Sequence, residues 1–139
     1  MIYTITMNPA LDRTIRVKSL ASDDANRIDK EARYAGGKGI DVSKVLTHLG
    51  LPNRALGFLG GYAGMEVEGI LLADGILCDF KQRANETRTN IVLDVEEGER
   101  QILLSARGPV VKPVELTSFF KKIEQLDSPD FVAISGSLP

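Results

Sequence analysis

Tryptophan is absent from the 139-residue sequence, cysteine and histidine occur once each, and aromatic residues make up only 6%. With Cys78 alone there is no intrachain disulfide and no cysteine-based zinc site, and with His48 as the sole histidine a transition-metal centre lacks its usual ligands. An excess of one charge is missing too. Seventeen basic against nineteen acidic residues leave a formal net charge of -2, and no run of either sign supplies the clustered basic face of a nucleic-acid binder. No apolar stretch approaches the roughly 18 residues that a membrane span requires. The opening Met1-Ile2-Tyr3-Thr4-Ile5 reads directly as a strand, without the basic and apolar regions of a secretory leader. These absences predict a cytoplasmic location, with neither nucleic acid nor membrane as partner.

What is present is ordinary globular composition, 43% hydrophobic and 26% charged, in a chain long enough to bury a core without staples. Ile2 to Met7 alternates apolar and hydroxylic residues and stops at Asn8-Pro9, a strand ending in a turn. Thr14 to Lys18 and Arg27 to Tyr34 lean to strand but carry too many charges to be buried on both faces, which suits an exposed β-flap. After Gly36-Gly37-Lys38-Gly39, the apolar residues Val42, Val45, Leu46 and Leu49 recur at helical spacing, and Gly50 closes the helix. Arg54 to Leu59 reads as a short apolar strand, followed by a glycine turn and a helix with Val67, Ile70 and Leu71 on one face. Leu77 to Lys81, Thr87 to Leu93 and Gln101 to Ser105 read as strands, the last two joined by a hairpin turn at Glu96-Glu97-Gly98-Glu99. Pro113 opens a helix whose stripe is Leu116, Phe119, Phe120 and Ile123.

Strands alternating with helices predict an α/β fold with a mostly parallel sheet covered on both faces. The flap segments fall at about 13–34 and 87–105, inserted in the α/β body. The last strand, Phe131 to Ile134, runs into Gly136-Ser137-Leu138-Pro139 with no covering helix, and about three helices are few for two faces. The fold is therefore expected to be interrupted, and the isolated chain to be poorly stable.

Three constellations bear on chemistry. Gly36, Gly37 and Gly39 surround Lys38 at the mouth of a helix, where backbone N–H groups and the positive end of the dipole face an anionic or hydroxyl-rich ligand. A tight turn explains the same glycines equally well. A Walker A loop is excluded because Ala32 and Gly39 stand where Gly and Ser/Thr belong, and a dinucleotide loop because Val42 replaces its third glycine. The second glycine cluster, Gly57 to Gly64, has no cation or acid beside it and reads as close packing. Asp12 follows the turn after the first strand, at the ligand-facing edge of an open α/β sheet, and its carboxylate can accept from sugar hydroxyls, although an aspartate in a turn is more often a solvated cap. Arg88 lies in a strand, where it is either an exposed cross-strand partner or a planar fork for a phosphate. His48 shares a helix face with Asp41 and Lys44 and reads as solvated, and Cys78 as inert packing.

Asn8-Pro9-Ala10-Leu11-Asp12, Ala35-Gly36-Gly37-Lys38-Gly39-Ile40-Asp41-Val42-Ser43, Thr87-Arg88-Thr89-Asn90 and Ile134-Ser135-Gly136-Ser137-Leu138-Pro139, in this order, resemble the motifs of PfkB-type, ribokinase-like sugar kinases. The similarity spans the chain and is greatest to the branch that includes 1-phosphofructokinase and tagatose-6-phosphate kinase. The resemblance implies a Rossmann-like body, a β-flap lid that mediates homodimerisation, and transfer of the γ-phosphate of ATP, with Mg²⁺, to a ketohexose phosphate, fructose 1-phosphate first and tagatose 6-phosphate or fructose 6-phosphate as alternatives. A non-catalytic sugar-phosphate-binding or dimerisation module is the reading from another class. By motif match, Asp12 holds sugar hydroxyls, Gly36 and Gly37 touch the sugar through backbone, Lys38 and Arg88 bind the phosphate, and Asn90 and Ser137 complete the lining. Arg27, at the far side of the flap, reaches a phosphate, in a neighbouring subunit. Asp41 stands where the family usually has asparagine, so a group that donates and accepts becomes one that only accepts. The general base and the nucleotide pocket belong to a C-terminal part for which residues 1–139 hold no motif, so this stretch alone is expected to be inactive.

Overall fold

A computed structural model describes residues 1–126 and 131–139. In chain order its elements are β1 (Ile2–Thr6), β2 (Ala10–Val17), β3 (Lys30–Gly36), α1 (Lys38–His48), β4 (Asn53–Gly60), α2 (Gly61–Ala73), β5 (Leu77–Cys78), β6 (Lys81–Arg83), β7 (Arg88–Val95), β8 (Arg100–Leu104), α3 (Pro113–Glu124) and β9 (Phe131–Ile134). They form two sheets. The body sheet runs β5-β4-β1-β9, with β6 also paired to β4, and all of its pairings are parallel. The second sheet, β3-β2-β7-β8, joins two antiparallel hairpins through the parallel β2–β7 pair.

The near-continuous hydrophobicity of Ala55 to Leu59 follows from its central place in a sheet with a helix on each face. Side chains alternate across the pleat. Ala55 and Leu59 join Ile40, Val67, Leu71, Ile76 and Phe80 on the α1/α2 side, whereas Leu56 and Phe58 join Tyr3, Ile5 and Phe119 on the α3 side. Phe58 and Phe119 meet as a tilted pair with ring centroids 5.0 Å apart, which adds to the area term about 0.5–1.5 kcal/mol. On the opposite side of β1, Thr4 and Ser43 share a buried 2.5 Å hydrogen bond.

Three expectations change. In α1 the sheet is met by Gly39, Ile40 and Ser43, while Val45 and Leu49 are 58% and 64% exposed. The helix is seated by its N-terminal turn, where glycine permits close approach to β1, so its more apolar stripe is turned away from the sheet. In α3 Phe119 is buried but Phe120 is 55% exposed, because the helix rests on one sheet face and presents neighbouring positions to opposite sides. The strand expected over Leu77 to Lys81 is split into β5 and β6, each paired with a different end of β4. Phe80 turns inward between them to fill the core. Among the described residues no helix is long and apolar enough to cross a membrane.

Candidate functional site

The two sheets meet along one line. Ala10 pairs with Gly36 on one side and with Arg88 on the other, so the start of β2, the end of β3 and the start of β7 lie side by side. The start of α1 follows one residue after β3. The C-terminal end of β9 reaches the same edge, where the Ser135 N–H donates to the Ile5 carbonyl at 3.2 Å. This is the carboxyl edge of the parallel body sheet, the usual ligand side of an open α/β fold.

At this edge the structure assembles most of the side chains expected from sequence. Asp12 lies opposite Tyr34 and Asn90 in the β2 register, and its Oδ1 accepts from Asn90 Nδ2 at 2.8 Å. Its other oxygen lies over Gly36: a Cβ there would stand 2.0 Å from Asp12 Oδ2. Gly36 is thus glycine to admit the carboxylate. Gly37 has φ 131 and turns the chain from β3 into α1, with no side-chain hydrogen bond capping that helix. The free N–H groups of the first turn therefore remain available to an acceptor. Lys38 begins α1, and a Cβ placed on Gly136 would lie 3.8 Å from its backbone N, which sets the β9 loop against the helix mouth. Ser137 in that loop has its Oγ 3.4 Å from Asn8 Nδ2. Asp41 sits one turn along α1, exposed, 3.9 Å from Lys44 Nζ.

Arg88 is tied to two backbone carbonyls of the same edge. Its Nη1 donates to the Ala106 carbonyl at 2.9 Å and its Nη2 to the Asn8 carbonyl at 3.0 Å, and its Nε is buried with no partner among the described residues. Arg27 is not brought to the site within this chain. It lies in the connection between β2 and β3, beyond the Arg16–Lys30 pair, and Arg16 is four strand positions from Asp12, about 13 Å at the usual rise.

Asn8 went unnoticed as a site residue because its place before proline marks it as a turn former. It is the hub of the edge: its amide nitrogen donates to the Arg107 carbonyl at 2.9 Å and its carbonyl receives Arg88. The irregular segment after β8 also escaped notice. Ala106 N–H donates to Asn90 Oδ1 at 3.1 Å, so this segment closes the far side of the edge; only the Gly108-Pro109 turn signal marks it in sequence. The second glycine cluster is a helix start. Glu86 Oε1 accepts from the Ala63 N–H at 2.7 Å and Thr87 Oγ1 from the Gly60 N–H at 2.9 Å, so the positive end of α2 is already satisfied by an anion from the chain itself.

The donors gathered here suit a polyhydroxylated anion: one carboxylate accepting from hydroxyls, two amides, a serine, open helix N–H groups and cations. Among the described residues no group of three or more His, Cys, Asp or Glu side chains is placed to hold a metal ion.

Comparison with known proteins agrees with this chemistry. The sequence matches the pfkB family carbohydrate kinases over residues 4–139. It is 37% identical over 139 residues to a D-tagatose-1-phosphate kinase of Bacillus licheniformis and 30% identical over 139 residues to a 1-phosphofructokinase of Bacillus subtilis. All of this chain aligns in both cases, with 45% of the relative; the chain thus spans somewhat under half the length of these relatives. A Staphylococcus aureus structure provisionally assigned as a phosphofructokinase superposes with a TM-score of 0.92 at 34% identity, over 100% of this chain and 44% of that one. Phosphofructokinase-2 of Escherichia coli in complex with fructose-6-phosphate superposes with a TM-score of 0.89 at 26% identity, over 99% of this chain and 46% of that one.

Proposed function

The chain belongs to the pfkB family of carbohydrate kinases, and from that membership we propose that it forms the sugar-phosphate half of a kinase that phosphorylates a ketohexose phosphate, with fructose 1-phosphate as the substrate. The observation that carries this reading is the convergence of Asp12, Asn90, Asn8 and Ser137 with the uncapped start of α1 on one sheet edge. Asp12 and Asn90 hold sugar hydroxyls, with the carboxylate fixed as acceptor by the amide. Gly36 and Gly37 bring backbone against the sugar. Lys38 and the α1 dipole attract the phosphate, each charge-assisted hydrogen bond contributing about 1.5–3 kcal/mol. Ser137 closes the lining, and Arg88 acts on the phosphate side. Both curated relatives named above are kinases of ketohexose 1-phosphates by name, which favours a 1-phosphate over a 6-phosphate. A D-tagatose phosphate is the second substrate, supported by the first of them.

This chain aligns with 45% of each curated relative, and the nucleotide, Mg²⁺ and general-base sites are proposed to lie in parts of the enzyme outside residues 1–139, which alone would bind sugar phosphate without turnover. The second sheet is proposed as a lid and as a homodimer surface. Its strands leave Tyr34, Leu103 and Leu104 more than half exposed, apolar area that a second copy would cover; Arg27 at its far end would then approach the partner's site. Asp41 fits a substrate hydroxyl that donates.

Calorimetric titration with fructose 1-phosphate, tagatose 1-phosphate, fructose 6-phosphate and fructose, alongside an ATP-dependent product assay, tests this reading. The expected result is binding of the phosphorylated sugars well above fructose, the 1-phosphates ahead of the 6-phosphate, with no product formed. Equal binding of fructose and fructose 1-phosphate, or none of either, would remove the phosphate site.

A further inference from the structure

We propose that Lys44 is a positioning residue of this site: it holds the carboxylate of Asp41 away from Lys38, which leaves Lys38 open to the phosphate, and it braces the peptide that carries Gly36. The inference deepens the sugar-phosphate reading and rests on it.

Asp41 has a lysine three positions away on either side along α1, Lys38 before it and Lys44 after it. Residues three apart on a helix are neighbours, so the carboxylate can pair with either. The structure sets it beside Lys44, whose Nζ is 3.9 Å from Asp41 Oδ1. An acid followed by a base is the favoured order, because each charge then lies toward the end of the helix dipole that suits it. Lys38 stands in the unfavoured order, and among the described residues its ammonium has no ion pair with a carboxylate. A cation in that state gives up no partner to bind a dianion.

An exposed pair three residues apart is weak by itself. A second bond distinguishes this one: Lys44 Nζ also donates to the carbonyl of Ala35, near the end of β3. That strand is an edge of its sheet, with one side of its backbone open to partners from elsewhere in the chain. Ala35 is buried, and a carbonyl left there without a partner is costly. The ammonium is thereby held in one place, and Asp41 meets a cation whose position is already determined. The same bond crosses the Gly36-Gly37 turn, where no side chain caps α1. In a trans peptide the Gly36 N–H points opposite to the Ala35 carbonyl. Fixing that carbonyl therefore orients the backbone on which the Asp12 carboxylate rests, where a Cβ on Gly36 would stand 2.0 Å from Asp12 Oδ2.

The test compares the 139-residue chain with its Lys44→Gln, Lys44→Met and Lys44→Arg variants, and repeats Lys44→Gln in an Asp41→Asn background, by calorimetry with fructose 1-phosphate and with fructose at several salt concentrations. Lys44→Gln keeps a donor for the Ala35 carbonyl and removes the charge. It is expected to weaken fructose 1-phosphate about fivefold, the worth of one charge pair in water, to leave fructose unchanged, and to lose less as salt rises. With Asp41→Asn already in place the same substitution should cost nothing, and Lys44→Arg should keep the wild-type affinity; a purely structural role would produce neither the dependence on Asp41 nor the difference between the two sugars. Lys44→Met removes the brace as well and should weaken both sugars. Fructose 1-phosphate bound by Lys44→Gln as tightly as by the wild type, or a loss that persists undiminished beside Asp41→Asn, would overturn the assignment and leave the sugar-phosphate reading standing. A wild-type chain that does not distinguish the two sugars would overturn both.

Discussion

Asp12 and Gly36 make one unit, because the carboxylate occupies the space where a side chain on residue 36 would begin. Gly36→Ala is expected to push Asp12 off its place beside Asn90 and to weaken fructose and fructose 1-phosphate alike, each by about tenfold or more; titration with both sugars checks it. The equal loss separates this substitution from one at Lys38, proposed to touch the phosphate alone. Cys78 illustrates the opposite case, a reactive atom made inert by its surroundings. Burial, with Glu68 adding to it, pushes its thiol up to about 11. At pH 8 the thiolate is then scarcer than in an unfolded chain by about two orders of magnitude, and labelling by iodoacetamide should be slow by that factor until the chain is denatured. The sign for stability follows: the folded state keeps the proton longer, so Cys78 favours folding below the unfolded thiol value and loses that contribution as pH rises toward 11.

Among the elements, α2 and α3 each begin with a carboxylate supplied from a short distance. Glu86 reaches α2 across the junction, and Glu86→Ala is expected to cost about 1 kcal/mol in urea unfolding, the usual worth of such a cap. Glu115 does more at α3. It accepts from Lys112 N–H at 2.7 Å and pairs at 3.0 Å with Arg83, whose side chain is only 3% exposed and lies 5.6 Å from the centroid of the Phe58 ring. Glu115→Ala removes the counter-charge of a buried guanidinium and leaves it only the carbonyls of Pro109 and Val110, and a loss of about 3 kcal/mol is expected; in an Arg83→Met background the same substitution should cost much less, which a double-mutant cycle reads directly. The strand at Phe131–Ile134, the turn that begins α1 and the Pro113 start of α3 were all legible, because each has a local cause: an apolar run, a glycine at positive φ, a proline at the first helical position. The facing of α1 was not legible. Apolar spacing names a stripe without saying whether the sheet lies under it, and here close approach through Gly39 outweighs the larger side chains. The site was legible where a motif is contiguous, as at Gly36-Gly37-Lys38. It was hidden where hydrogen bonds join residues far apart in the chain, as Asn8 to Arg107 or Arg88 to Ala106, since nothing local foretells such a pair.

For the molecule as a whole, apolar surface remains on several elements, among them Val45 and Leu49 on α1, Leu103 and Leu104 on β8, and Phe131, Val132 and Ile134 on β9, the last strand of its sheet. Exposed apolar area on an edge strand promotes association. The 139-residue chain is expected to bind a hydrophobic dye, to unfold at low urea concentration and to self-associate as concentration rises; sedimentation and urea titration check this, and a monomer at every concentration that binds no dye would contradict it. The second sheet carries a further consequence. Its strands are anchored where Ala10, Gly36 and Arg88 meet the body, with Glu86 and Thr87 riveted to α2, while its other end, from Lys18 to Asp29 and from Glu96 to Glu99, is exposed on every side. A plate clamped along one end is a cantilever: a load at the tip produces its greatest torque at the root. The root of this one is the Asp12–Asn90 hydrogen bond.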